Sequence, residues 1–185
     1  MPSPVLLLHS SGPQGPGEGS DPFVARLREE LGPGYEVLFP KMPDPDDPHY
    51  LPWSERIGQV LAEVDTPIVV VGHSLGGSVF LQHLAETDGR EPIAGLLLVA
   101  TPFWSPSGWE AEWALPEDWP DADTALPPIF LFHSRDDEEI PFAHLDLYAK
   151  RLPSAEVHPL DGNGHLLDRG DLGEIVEKIR SLSPG

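Results

Sequence analysis

The 185-residue chain contains no cysteine. That absence excludes disulfides, a thiol nucleophile and thiolate metal ligands together, and it leaves the redox compartment open. Basic residues are scarce as well: 11 Lys and Arg stand against 31 Asp and Glu, for a formal charge of −20. A surface of that sign repels phosphate backbones and anionic lipid, so neither nucleic acid nor membrane is an expected partner. The acidity is read as a solubility or salt-adaptation feature in preference to a device that steers cationic substrates. Long apolar runs are missing too. The longest, such as Ile68 to Val71 and Leu96 to Ala100, fall far short of the roughly 18 residues that a membrane-spanning helix needs. Met1 to Leu8 has no basic n-region and a short apolar run, Val5 to Leu8, which does not make a signal peptide, so a cytoplasmic location is expected.

What is present suits one globular domain, residues 1–185, with enough chain to bury a proper core. Short unbroken aliphatic runs recur at Val5–His9, Glu36–Phe39, Ile68–Val71, Gly95–Val99, Ile129–Phe132 and Glu156–Leu160. Unbroken runs, as opposed to alternating ones, indicate strands buried on both faces, which is the habit of a parallel sheet. Between them lie helical spacings: Phe23, Leu27 and Leu31; Ile57, Val60, Leu61 and Val64; Val79, Phe80 and Leu84; and Leu172, Ile175, Val176, Ile179 and Leu182. Ser20 with Pro22 suits the start of the first helix and Gly32 with Gly34 its end, while Ser54 after Pro52 suits the N-cap of the second. The expected fold is α/β: a three-layer α/β/α sandwich around about six parallel strands, with ligands gathering at the carboxyl ends of the strands.

Two stretches interrupt the alternation, Pro40–Pro52 and Thr101–Pro128, both rich in proline and acid. The first is expected to be a loop. The second holds Trp104, Trp109, Trp113 and Trp119. It reads equally well as a loop whose tryptophans seal the core and as a small cap that offers Trp104, Trp109 and Trp113 to a substrate as apolar walls.

The strongest local signal is Gly72-His73-Ser74-Leu75-Gly76-Gly77, set between an apolar run and a helical pattern. A serine hydroxyl becomes a nucleophile when a sharp strand-to-helix turn holds it clear of the chain beside a base, and such a turn admits only small residues on either side. Ser74 is therefore the candidate nucleophile, and the Leu75 amide at the helix start is a candidate oxyanion donor. Of eight histidines, His165 best fits a base, because Gly162-Asn163-Gly164-His165 follows the last apolar run and precedes the final helix. The orienting acid should follow Ile129–Phe132, where Asp136, Asp137, Glu138 and Glu139 compete, and local physics scarcely separates Asp136 from Asp137. A second oxyanion donor is expected after Val5–Leu8, with the amide of Ser11 first and that of Ser10 next. His73 reads as a packing or hydrogen-bonding residue. His49, His83, His144 and His158 lack partners at metal-like spacing, and Pro43–His49 lacks the glycine and terminal glutamate of a calcium loop, so no metal and no cofactor is implied.

Taken together these residues resemble the α/β-hydrolase superfamily, and within it the small serine hydrolases of the retinoblastoma-binding-protein type. The likeness spans nearly the whole chain. Gly72–Gly77 resembles the nucleophile elbow, His133–Pro141 resembles the His-Gly-x-x-Asp-x-x-Val-Pro acid motif with Asp137 on the acid, and Gly162–His165 resembles the histidine loop. The order Ser74, Asp137, His165 along the chain is also that of this superfamily. Ser10 and Ser134 depart from it, each standing where relatives carry glycine. The resemblance implies a Ser74–Asp137–His165 triad acting on a carboxylic ester or related small acyl substrate through an acyl-enzyme. A peptidase or a cofactor-free haloperoxidase on the same triad is the alternative within enzymes. A protein-binding module that kept the fold without turnover is the alternative outside them, although nothing in the sequence indicates a protein partner.

Overall fold

The unbroken aliphatic runs become strands with both faces buried. The computed structural model describes residues 2–87, 92–105, 111–121 and 124–183. Strands β1 (Ser3–Leu8), β2 (Tyr35–Leu38), β3 (Ile68–His73), β4 (Ile93–Val99), β5 (Ile129–Ser134) and β6 (Glu156–Leu160) form one parallel sheet in the order β2-β1-β3-β4-β5-β6. All six runs anticipated from the sequence are strands of this sheet. Alternate residues of one run serve opposite layers. Leu6, Leu8, Ile68, Val70, Leu96 and Leu98 point to one core, while Val5, Leu7, Val69, Val71, Leu97 and Val99 point to the other.

The helices are α1 (Asp21–Leu31), α2 (Tyr50–Ala62), α3 (Leu75–Glu86), α4 (Ala143–Arg151) and α5 (Gly173–Leu182). The chain steps from β1 outward to β2, then returns past β1 to β3 and continues in the opposite direction. Right-handed crossovers put helices on opposite faces when the direction of travel reverses. Accordingly Phe23 and Leu27 of α1 share a core with α5, and Trp53 of α2, Phe80 of α3 and Tyr148 of α4 share the other. The reversal lies between β1 and β3, so the loops after these two strands meet at the carboxyl edge of the sheet.

Several local expectations are corrected. Ser54 is not an N-cap: α2 starts four residues earlier at Tyr50, and Ser54 lies buried within it, its Oγ 2.9 Å from His83 Nδ1. Pro52 falls in the first turn, where a missing N–H costs nothing, so the proline that suggested a loop is inside the helix. Ser20 does precede α1, but its hydroxyl makes no cap bond to the helix and is used elsewhere. Helix α4 went unforeseen because only Leu145 and Tyr148 are buried on it, too few apolar positions to make a periodic signal. No helix among the described residues is long and apolar enough to cross a membrane.

The described part of the insert after β4 holds one 3-10 turn, Ala111–Trp113, and it packs on the face a right-handed crossover requires, the one holding α3 and α4. Trp119 is buried in that core, with Trp104 and Trp113 packed against it, so the core-sealing role holds for these three. Trp109 lies outside the described residues.

The start of α3 is pressed against β1. A Cβ at Gly76 would lie 2.6 Å from the carbonyl oxygen of His9 and 2.9 Å from Leu8 Cβ, closer than carbon packs against either. Backbone cannot yield there without moving the β1–β3 junction. Gly76→Ala should therefore cost more than about 2 kcal/mol. Urea denaturation of the variant measures this, and a midpoint equal to that of the parent protein would contradict it.

Candidate active site

Strand β3 ends in a turn where Ser74 takes φ 51° and ψ −122°, a conformation that costs a non-glycine residue about 1–3 kcal/mol. Bonds on either side hold it there: Ser74 N–H donates to the Val99 carbonyl at 2.8 Å, and Gly77 N–H to the Ser74 carbonyl at 3.0 Å. The result presents Oγ at the carboxyl edge of the sheet. Leu75 is the first residue of α3, so its amide has no acceptor within the helix.

His165, 91 residues along the chain, arrives at the same point: its Nε2 lies 3.1 Å from Ser74 Oγ. Its Nδ1 lies 2.9 Å from Asp137 Oδ2 and 3.1 Å from Oδ1. An ionised carboxylate only accepts, so Nδ1 carries the proton and Nε2 keeps a lone pair for the serine hydroxyl. The structure thus brings together the three residues that the sequence placed far apart.

Asp137 is distinguished from its acidic neighbours by burial and by its donors. Its side chain is fully buried, whereas that of Asp136 is 44% exposed. Oδ1 accepts the amides of Glu139 and Ile140 at 2.9 and 2.8 Å, and Oδ2 accepts His133 Nε2 at 3.1 Å. Burial by itself would raise the carboxyl's pKa, but the bonds from His133, His165 and the Ile140 amide outweigh it and hold the group below the usual carboxylate range. The His133 bond is a part of the site that motif spacing alone did not assign.

Asp136 has a separate task. Its Oδ1 accepts the Ser134 hydroxyl and the amides of Gly162 and Gly164, at 3.1 and 3.2 Å for the amides. Ser134 Oγ in turn accepts the Asn163 amide at 3.1 Å. The loop that carries His165 is therefore tied to the loop that carries Asp137. The Ser134 and Gly164 bonds lower the Asp136 pKa from 3.8 to about 2. The Ser134 hydroxyl thus serves as a tie between the two loops.

A second buried network joins the other half of the site. His73 Nε2 lies 2.9 Å from the His165 carbonyl, which can only accept, so Nε2 is the protonated nitrogen and Nδ1 accepts the Ser20 hydroxyl at 2.7 Å. Ser20 Oγ receives the Ser10 amide at 2.9 Å. Full burial lowers the His73 pKa to about 3, and the ring is neutral. One imidazole thus links the loop after β1, the start of α1 and the backbone of His165. Neither Ser20 nor His73 showed a site signal in the sequence, since a contact across 53 residues has no local spacing.

The same network separates the amides of Ser10 and Ser11. The Ser10 amide is spent on Ser20, which removes Ser10, while the Ser11 amide has no hydrogen-bond partner among the described residues. Trp104 and Trp113, expected to wall a substrate, line with Phe103, Leu115 and Tyr148 a pocket of about 270 Å³ that has none of Ser74, Asp137 and His165 in its lining. Trp104 is fastened to α3 by its Nε1–H to Ser78 Oγ at 2.9 Å. Among the described residues no group of three or more His, Asp or Glu could hold a metal ion.

Comparison with known proteins agrees with this scaffold. The ydeN gene product of B. subtilis superposes with a TM-score of 0.71 at 19% identity, covering 97% of this chain and 98% of that one. The esterase RhEst1 from Rhodococcus sp. ECU1013 gives 0.68 at 16% identity over 97% and 90% of the two chains. The bromoperoxidase from Bacillus anthracis gives 0.67 at 16% identity over 98% and 92%. No curated protein matches the chain. The family model described as "Serine hydrolase" matches residues 37–183, most of the chain including the elbow, the acid loop and the histidine loop. The chain belongs to the serine hydrolase family, and its fold is of the α/β-hydrolase kind.

Proposed function

We propose that this hydrolase cleaves a carboxylic ester or related small acyl compound through an acyl-enzyme, with Ser74 as nucleophile, His165 as general base and Asp137 as the orienting acid. The observation that carries the reading is the continuous line from Asp137 Oδ2 to His165 Nδ1 at 2.9 Å and from His165 Nε2 to Ser74 Oγ at 3.1 Å. Nε2 takes the hydroxyl proton as Oγ attacks the carbonyl carbon, and Asp137 stabilises the resulting imidazolium. The amides of Leu75 and Ser11 receive the oxyanion. Nε2 then returns the proton to the departing alkoxide, and a water activated by the same nitrogen releases the acid. The chain works as one domain in this reading, with residues 101–128 as an insert. The narrower likeness to the retinoblastoma-binding-protein type rests on the acid motif His133–Pro141.

A fluorophosphonate probe should label the protein, and Ser74→Ala should abolish labelling while lowering hydrolysis of short p-nitrophenyl esters by about four orders of magnitude or more. Persistent labelling of a folded Ser74→Ala protein would overturn the assignment.

Asp137 is held ionised well below neutrality and His73 is already neutral, so neither adds a protonation step to the single one that silences a general base. The expected slope of log kcat/KM against pH on the acid side is one. A slope of two, read from initial rates in constant-ionic-strength buffers, would contradict it.

Asp136 has a depressed folded-state pKa, so the stability it supplies is present above its ordinary value of 3.8 and is lost as pH falls through about 2. The difference in urea midpoint between the parent protein and Asp136→Asn should accordingly be constant above pH ~5 and shrink towards zero near pH ~2. A difference that persists unchanged in strong acid would show that Asp136 does not act as a charged anchor of the histidine loop.

A further inference from the structure

Four acids follow β5, and three of them have hydrogen-bonding or cationic neighbours. Asp137 faces His133 and His165. Asp136 and Glu138 face Arg169 at 3.4 and 3.5 Å. Glu139 is different: among the described residues no Lys or Arg pairs with it, and its Oε2 lies 3.7 Å from His165 Nε2. That is the nitrogen 3.1 Å from Ser74 Oγ. The position is built, since the Glu139 amide is held by Asp137 Oδ1 at 2.9 Å, and the carboxylate that orients the imidazole from one side also fixes the residue on the other. Glu139 is 58% exposed beside an imidazole that is 3% exposed, so its charge stands on the solvent side of the reacting nitrogen.

Resting on the acyl-enzyme reading, we infer that Glu139 is a specificity residue that selects esters whose alcohol half carries a positive charge a few atoms from the ester oxygen, as an amino alcohol or a quaternary ammonium alcohol does. Nε2 delivers its proton to the departing alkoxide, so the leaving oxygen lies within hydrogen-bonding reach of that nitrogen. A carboxylate 3.7 Å from the same nitrogen then flanks the leaving group. A cationic alcohol gains a contact, a neutral one gains none, and an anionic one is repelled by the charge that favours the cation. The overall charge of −20 has the sign that brings such substrates to the surface, but it acts on all sites alike, whereas Glu139 acts at the scissile bond.

The pair acetylcholine and 3,3-dimethylbutyl acetate tests this, because the two esters share a shape and differ in one charge. At fixed ionic strength the ratio of kcat/KM, cationic over neutral, should fall by roughly three- to tenfold in Glu139→Gln, the effect of one partly solvated charge contact. This substitution changes the net charge by one unit, so the general acidity of the surface stays in place. An unchanged ratio in a variant that turns over both esters would overturn the charge assignment and leave the hydrolase reading intact. If neither ester turns over, the same ratio is read from protection of Ser74 against a fluorophosphonate by choline and by 3,3-dimethylbutanol, and equal loss of protection by both overturns the inference. Absence of both turnover and labelling in the parent protein would overturn the acyl-enzyme reading, and this inference with it.

Discussion

The carboxylate of Asp137 is the point on which the site depends. It is fully buried, which costs free energy, and the cost is offset because its two oxygens accept His165, His133 and two backbone amides. Each donor belongs to something the site needs. His165 is thereby held in the tautomer that leaves Nε2 open to Ser74, and the two amides close the turn after β5. A buried anion with this many donors is rigid because any movement leaves part of it unsatisfied. Geometry and charge are consequently fixed by the same bonds.

Around it the three loops at the carboxyl edge of the sheet are tied in pairs. Asp136 and Ser134 bind the acid loop to the histidine loop through the amides of Gly162, Asn163 and Gly164. His73 binds the histidine loop to the loop after β1 by way of Ser20 and Ser10. These residues lie outside the line of Asp137, His165 and Ser74, yet they determine where His165 sits and which amide after β1 is left unpaired among the described residues. The neighbouring acids Asp136, Asp137 and Glu139 have three environments: a partly exposed loop anchor, a buried partner of imidazole, and an exposed charge beside His165 Nε2.

Much of the fold was legible because its signals are local. Val69, Val70 and Val71 are apolar in succession since neighbouring residues serve different cores, and only a strand covered on both sides makes that demand. The elbow was legible for a similar reason, as Gly72 and Gly76 stand where a Cβ would enter backbone. Helix α4 escaped because it buries few residues, and Ser54 misled because a serine after a proline looks like a cap until the helix is seen to begin before it. The tryptophans of the insert could be known as apolar and large, but whether they face a substrate or a core is a matter of where the chain turns after β4. The structure puts Trp119 in the core and Trp104 against α3.

By itself the sequence determined the six strands, their parallel packing, the strained turn at Ser74 and the order in which serine, acid and histidine arrive, because each of these is imposed by residues within a few positions of one another. Only the tertiary structure decided how the acid named by the motif is buried and which donors hold it, that the Ser10 amide is already spent, and that Glu139 stands 3.7 Å from His165 Nε2. Those are properties of contact across tens of residues, and the energy of a charge or an amide depends on what surrounds it in space, which no spacing along the chain encodes.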